Sequence, residues 1–474
     1  MDDEEISPPV SPMSQSLHSS FLSLHIFGVA ELETPITEFE ILELCRKNLS
    51  LNIRFSSVME RNNKGVLRWK KVATRVEDHL IVPTIPLGLT RESYDGYLSE
   101  YLSKIGCEKF SENKPLWEVH LLKYPSLNSA CTLIWKVSHA IGDGYSFVSL
   151  FFKGCQRADD PSLLPTFPRL TLRKQDHGIC SGNMLGFMGK CVNTCCDLIE
   201  SLLRTTSLED GASAIRVEKS ANMKIELFRP FNIYTVALSL ERVKQVKTKL
   251  GATVNDVILG LVSYIIHLYA ERKTKYGLTT DSINGGTNAD MTLLVMLNMR
   301  VFEGFTNIED MIRADAWGNR SRAVFVKLPT FTNLENVNPV DFIIKAKETM
   351  DRKKNSMMFC FIDKVLNTSL WIKGQKGMDE MVYSSFKNAS TMISGVIGPK
   401  QKMAICNHPI NSCYFFVSGI PQSITFSSVS YMEQLKLVVK MDKEFIDSKL
   451  FSSCMDEAFD NIFRASFENI QDKD

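Results

Sequence analysis

Residues 130–152 constrain this chain more than any other stretch. Ala130-Cys131-Thr132-Leu133-Ile134-Trp135-Lys136 is a bounded run of β-branched and aromatic residues and reads as a buried strand. Val137-Ser138-His139-Ala140-Ile141-Gly142-Asp143-Gly144 follows as a glycine-rich turn, and the apolar run 147–152 starts a helix once Gly144 has let the chain turn. His139 therefore stands where a core strand runs out into a turn. A side chain there has a rigid base and an open front, a usual setting for chemistry.

Three readings of His139 and Asp143 stay open on the residues alone. A metal pair on one helix face is disfavoured by Gly142 and Gly144, and neither histidine nor cysteine stands at ligand spacing nearby. A half-buried histidine beside an aspartate that bonds its own turn is the plain structural reading. In the third, His139 is a general base, because a neutral imidazole takes a proton from a hydroxyl near neutral pH.

At 474 residues the chain is too long for one ordinary core, and either two domains or two halves of a large one are expected. A net charge of +1 gives no nucleic-acid footprint. The twelve cysteines follow no metal spacing, and the cluster Cys191, Cys195, Cys196 is read as packed thiols on a helix. No metal site is expected. The start Met1-Asp2-Asp3-Glu4-Glu5 is the opposite of a signal peptide, so a cytosol-facing protein with reduced thiols is expected. No segment reaches about 18 uninterrupted apolar residues. Residues 257–269 read as a buried core helix, and 184–203 as an amphipathic helix resting on a membrane or on the protein itself.

Taken in order, residues 1–20 are polar and proline-bearing and read as a flexible N-terminal arm. A first half, 21–174, carries a strand at 21–27, helices at 36–48 and 94–105, and a strand that begins at Pro115-Leu116-Trp117. Residues 175–222 have little strand signal and form a crossover linker. A second half, 223–474, opens with a strand at 232–240 and a short helix stopped at Gly251. Thr253-Val254-Asn255-Asp256 then caps an apolar helix. Residues 293–300, 323–326, 413–417 and the hairpin 423–440 read as strands, Ser394-Gly395-Val396-Ile397-Gly398-Pro399 as a tight loop, and 447–464 as a closing helix. The fold class expected is α/β, an α+β sandwich with a cleft between its halves.

In their order along the chain, Pro115-Leu116-Trp117-Glu118, the His139 turn, Thr253-Val254-Asn255-Asp256-Val257, Trp317-Gly318-Asn319, Gly398-Pro399, Asn407-His408-Pro409 and Ser430-Tyr431-Met432 resemble the plant wax ester synthase/diacylglycerol acyltransferase family. The likeness runs over nearly the whole chain. That family's His-His-x-x-x-Asp-Gly signature maps its second histidine onto His139, with Asp143 and Gly144 completing it. Ser138 replaces the first histidine, Gly395 stands where relatives often have asparagine, and the crossover lacks the family's Thr-Pro-Leu segment.

The resemblance implies two pseudo-symmetric CoA-dependent acyltransferase-like halves around a central tunnel. It implies an O-acyltransferase that moves a fatty acyl group from acyl-CoA to a long-chain alcohol or to diacylglycerol, with His139 as base, acyl-CoA as co-substrate and no further cofactor. Asp143 is expected to turn inward to an unidentified arginine, with Ser138 and Gly144 supporting the motif and Asn255, Asp256 and Trp117 lining the cleft. A membrane surface is the expected partner and nucleic acid is not; the expected place is the cytosolic side of the endoplasmic reticulum membrane, with the plasma membrane second. The rival readings are a BAHD-like enzyme acylating small alcohols, whose Asp-Phe-Gly-Trp-Gly stretch is absent here, and a non-catalytic lipid-binding relative.

Overall fold

The computed structural model describes residues 7–49, 52–163, 165–166, 184–217, 226–277, 291–301, 317–329, 331, 337–358 and 361–468. Expectations for 1–6, and for the ends of the crossover at 175–183 and 218–222, fall outside these residues. In chain order the strands are β1 (His25–Leu32), β2 (Ser57–Arg61), β3 (Leu67–Lys71), β4 (Leu80–Ile81), β5 (Trp117–Leu122), β6 (Cys131–Ser138) and β7 (Cys155–Arg157). They continue as β8 (Phe231–Ser239), β9 (Thr292–Asn298), β10 (Ser321–Lys327), β11 (Thr391–Ile397), β12 (Met403–Ile405), β13 (His408–Ser418), β14 (Ile424–Tyr431) and β15 (Gln434–Asp442). The helices are α1 (Pro12–Ser16), α2 (Glu38–Leu49), α3 (Arg91–Cys107), α4 (Gly144–Lys153) and α5 (Met184–Thr206). After these come α6 (Leu240–Lys249), α7 (Val254–Lys275), α8 (Pro339–Lys354), α9 (Ile362–Lys387) and α10 (Ser448–Glu468).

Two sheets organise the molecule, in the strand orders β4-β5-β6-β1-β13-β12-β7 and β10-β9-β11-β14-β15-β8, while β2 and β3 pair as a separate hairpin. This is a mixed α/β fold in two halves, each with its own sheet. The chain order does not respect the halves: β12 and β13 come late in the sequence but complete the first sheet. β13 pairs antiparallel with β1, His25 opposite Ser418 and Ala30 opposite Cys413. Between the two sheets Phe27 stacks on Phe416 with ring centroids 4.6 Å apart, and Phe231, Val429 and Val438 close the same cluster. α7 is apolar all round because it is the central helix of the second core. It is the one described helix long and apolar enough to cross a membrane, and 78% of that stretch is buried inside the protein.

Three local expectations are corrected, and two helices are added. Residues 7–20 are part of the fold: Ser11 caps α1 by accepting from the Ser14 amide, Val10 N donates to Leu67 O at 2.9 Å, and Val10 and Leu17 are buried. The apolar residues in this otherwise polar stretch find a core, which its composition alone does not reveal. Residues 394–397 are no loop but the end of β11, a central strand parallel to both β9 and β14. Gly395 serves close approach there, since a Cβ on it would meet Ser428 Oγ of the neighbouring strand at 2.9 Å. Cys195 and Cys196 are exposed rather than packed. α8 and α9 were not foreseen; α9 is broken at Gly374, whose φ of 67° ends one helical segment and starts another.

Candidate active site

β6, an interior strand between β5 and β1, delivers His139 just past its C-terminal end. Ser138 is its last residue; beyond it Ile141 N donates to Ser138 O at 3.1 Å and His139 N to Leu24 O at 2.9 Å, which fixes the backbone of the turn. The ring is half-buried.

The Asn319 side chain decides which ring nitrogen carries the proton. Its Nδ2 donates to the His139 carbonyl at 2.8 Å and to Ser14 Oγ at 3.0 Å, which leaves Oδ1 facing His139 Nδ1 at 2.8 Å. An amide oxygen only accepts, so Nδ1 holds the hydrogen and Nε2 keeps its lone pair. Among the described residues no hydrogen bond takes up Nε2. Burial lowers the proton affinity of the ring and outweighs the opposing pulls of Asp143 and Asn319, so the imidazole is neutral near pH 7.

Asp143 is the centre of a buried knot that holds this turn. Its Oδ2 accepts from Arg300 Nη1 at 2.8 Å, from Arg320 N at 2.9 Å and from Ser321 Oγ at 3.0 Å, while Oδ1 accepts from Ser146 N at 3.1 Å. Burial would raise its pKa, but the charge and hydrogen bond of Arg300 win and the carboxyl sits below its ordinary range. Arg300 also donates to Gly318 O at 2.8 Å, and Trp317 Nε1 to Ile141 O at 2.8 Å. The first half's turn is thus clamped by Arg300 and by residues 317–321 of the second. Gly142 is the glycine this packing requires: a Cβ there would lie 2.9 Å from Ser146 Cβ and 3.2 Å from Trp317 Nε1. Gly144, expected to make the turn, instead begins α4 and has no atom within 4 Å of an added Cβ.

The other expected residues fall in different places. Ser138 Oγ accepts from Ala140 N at 3.3 Å and lies 3.3 Å from His18 Nδ1, so it braces the turn beside His139. Trp117 is buried, donates to Phe55 O at 2.9 Å and stacks on His79 at 4.0 Å. Asp256 forms a capping box with Thr253 at the start of α7, and Asn255 is exposed beside it. Neither is hydrogen-bonded to the His139 cluster among the described residues. Asn319, Arg300 and Ser146 were missed as site residues. Trp317-Gly318-Asn319 was visible as a motif, but its spatial partner was not.

An apolar cavity of about 140 Å³ lies against the first sheet. Trp117, Trp135, Val137, Phe147 and Phe151 form part of its wall, Gly28 and Gly144 open onto it, and Val396 and Val429 of the second sheet close one side. Its lining is almost wholly hydrocarbon, so it suits an alkyl chain and no charged group.

A neutral histidine with a free Nε2, clamped between two sheet-based halves, and an apolar cavity whose wall includes Val137 and Gly144 on either side of the turn, suit an acyltransferase. The comparisons give the family. Residues 93–258 match the wax ester synthase/diacylglycerol acyltransferase catalytic domain, and 317–463 match the WS/DGAT C-terminal domain. The chain is 28% identical over 455 residues to wax ester synthase/diacylglycerol acyltransferase 11 of Arabidopsis thaliana, covering 92% of this chain and 90% of that one. It is 27% identical over 460 residues to wax ester synthase/diacylglycerol acyltransferase 2 of the same plant, covering 93% and 92%. In structure it is similar to a wax ester synthase/diacylglycerol acyltransferase from Marinobacter aquaeolei VT8, with a TM-score of 0.60 at 15% identity over 97% of this chain and 99% of that one. The first condensation domain of the CDA synthetase shares the fold, with a TM-score of 0.59 at 10% identity over 93% and 91%. The chain belongs to the wax ester synthase/diacylglycerol acyltransferase family.

Proposed function

We propose that the protein transfers a fatty acyl group from acyl-CoA to the hydroxyl of a long-chain alcohol or diacylglycerol, with His139 as general base and no further cofactor. The observation that carries this is the unoccupied lone pair on His139 Nε2, set by the Asn319 hydrogen bond to Nδ1.

A thioester is already activated, so the protein's task is to align two substrates and move one proton. Nε2 takes the hydroxyl proton as the oxygen attacks the thioester carbonyl. The tetrahedral oxyanion then collapses, the carbon–sulfur bond breaks, and the thiolate leaves, taking the proton back from the imidazolium. Asp143 favours that transient imidazolium electrostatically, though its charge is largely balanced by Arg300. The acyl chain lies in the apolar cavity, whose walls exclude water. Both products are esters of membrane-dissolved acceptors, and the place of work is the cytosolic face of the endoplasmic reticulum membrane.

Purified protein incubated with radiolabelled palmitoyl-CoA and either hexadecanol or diacylglycerol tests the reading. Labelled ester should form, and His139→Ala should lower turnover by about 10²–10⁴-fold. Turnover unchanged in His139→Ala removes the base from this assignment. Esters formed only with small water-soluble alcohols favour a BAHD-like enzyme, and lipid retained without turnover favours a binding protein.

A further inference from the structure

α5 carries its polar side inward. Asp197 and Glu200 converge on Lys353 Nζ at 2.7 and 2.8 Å, Thr194 Oγ1 accepts from Met357 N at 2.8 Å, and Arg204 pairs with Asp210 at 2.8 Å. The opposite side is apolar and open: Met188, Val192, Ile199 and Leu202 are each more than half exposed. At about 100° per residue these four and the exposed Cys195 fall in one stripe. Rotating the helix to hide that stripe would break the Asp197–Lys353 pair, both of whose side chains are buried.

α9 packs beside α5 and shows a second apolar patch. Trp371 is 85% and Ile372 65% exposed, in the last turn before the Gly374 break. The half-exposed Met357, bonded to Thr194 of α5, lies just ahead of α9 and between the two patches in the chain. Lys364, two turns before Trp371, and Lys373 and Lys376 after it are exposed. Of the carboxylates nearby, Asp363 pairs with Arg322 at 2.6 Å and Asp379 accepts from Ser16 Oγ at 2.7 Å, while Glu380 is exposed one turn after Lys376, so the lysines outnumber the exposed, uncommitted acid on this stretch.

We propose that the α5–α9 face seats the enzyme in the plane of an anionic phospholipid surface, without crossing it. Exposed indole beside lysines is the pairing that lipid headgroups accommodate, hydrocarbon below and phosphate above. A spanning arrangement is opposed by the inward ion pairs of α5 and by the burial of α7 in the second core. The docked segment is tied to the base at both ends. Arg322, which holds Asp363, donates to Asn319 O at 3.1 Å. Gln375, next to the break, donates to Pro12 O at 3.0 Å and to Ser16 Oγ at 3.1 Å in α1, whose Ser14 accepts from Asn319. An acceptor leaving the bilayer at this face therefore emerges beside the residues that hold His139. The proposal rests on the reading that the acceptors are membrane-dissolved.

The test uses full-length protein floated with vesicles of phosphatidylcholine alone or mixed with phosphatidylserine. Binding should need the anionic lipid, weaken with salt, and fall at least about tenfold in Val192→Asp/Ile199→Asp and in Trp371→Ser/Ile372→Ser. Brominated lipid should quench the emission that wild type has and Trp371→Phe lacks. Both double variants should still esterify hexanol dissolved in water. Binding unchanged in both variants, or Trp371 emission indifferent to brominated lipid, overturns the proposal. So does a wild-type dimer in gel filtration that the variants split while vesicles are ignored, which would assign the face to a second copy. Wild-type protein that binds vesicles but esterifies no alcohol overturns the acyl-transfer reading and leaves the docking face standing.

Discussion

Asp143 and Arg300, 157 residues apart in the chain, meet at 2.8 Å with each side chain about 1% exposed. The pair joins the turn of one half to the strand end of the other. Removing one member leaves the other charge buried and alone, so Asp143→Asn or Arg300→Met should each cost about 3–5 kcal/mol in urea unfolding. The double variant should cost less than the two single losses added. Arg300→Lys should not restore stability, because a lysine cannot reach Asp143 and the Gly318 carbonyl in the same plane. Asp143 titrates low in the native state, so its contribution is present above about pH 4 and is lost as pH falls through the folded value. That acid limb should vanish in Asp143→Asn.

Asn319 governs the tautomer of His139. Asn319→Ala should lower kcat about 10- to 100-fold while KM changes little, since the ring loses its orientation and not the substrate sites. In wild type the acid limb of kcat/KM should fall below the ordinary histidine value of 6.5, because burial keeps His139 neutral to lower pH. Asn319→Asp places a carboxylate on Nδ1, favours the imidazolium, and should move that limb upward. A pH profile with the same midpoint in both proteins would remove Asn319 from this role.

Gly28 lies between Trp135 of β6 and Phe415 of β13, on the row that faces the apolar cavity. A Cβ there meets no atom within 4 Å. Gly28→Leu should therefore fold, occupy part of the acyl space, and shift the ester products toward shorter acyl chains by a few carbons. Gas chromatography of products from mixed acyl-CoA measures it; an unchanged profile would place the chain elsewhere.

His25 is fully buried, edge-on to Phe110 at 4.7 Å, and among the described residues neither ring nitrogen has a hydrogen-bond partner. Burial, with Lys136 and His18 nearby, pushes its pKa down to about 3. The unfolded chain takes up this proton near 6.5, so stability falls as pH drops below that value and continues to fall toward about 3. His25→Phe should shrink the stability difference between pH 7 and pH 4.5 by about 2 kcal/mol. Thermal or urea unfolding at the two pH values reads it directly.

What the sequence made legible was local. The strand, turn and helix around His139 are encoded within 23 residues of each other, as are the Thr253 cap of α7 and the β14–β15 hairpin, and all three lie where their patterns put them. The residues that complete the site are not local. Asn319 reaches His139 across 180 positions and Arg300 reaches Asp143 across 157, distances over which one sequence carries no pairing signal. Gly395 misled because glycine marks both loops and close strand approach, and only the neighbour Ser428 distinguishes them. α9 escaped because it lacks a single buried stripe: Leu366 and Leu370 are half-buried, whereas Trp371 and Ile372 face out.

The late return of β13 to β1 has a consequence for biosynthesis. Until residues 408–418 have been made, the first sheet presents β1 with one unsatisfied ladder of amides and carbonyls. At about 5–20 residues per second, making the residues between β6 and β13 takes some tens of seconds, and the growing chain keeps that edge open throughout. The nascent protein is sticky along β1 until β13 emerges, and slowing translation ahead of β13 should raise its demand for chaperones more than slowing it afterwards.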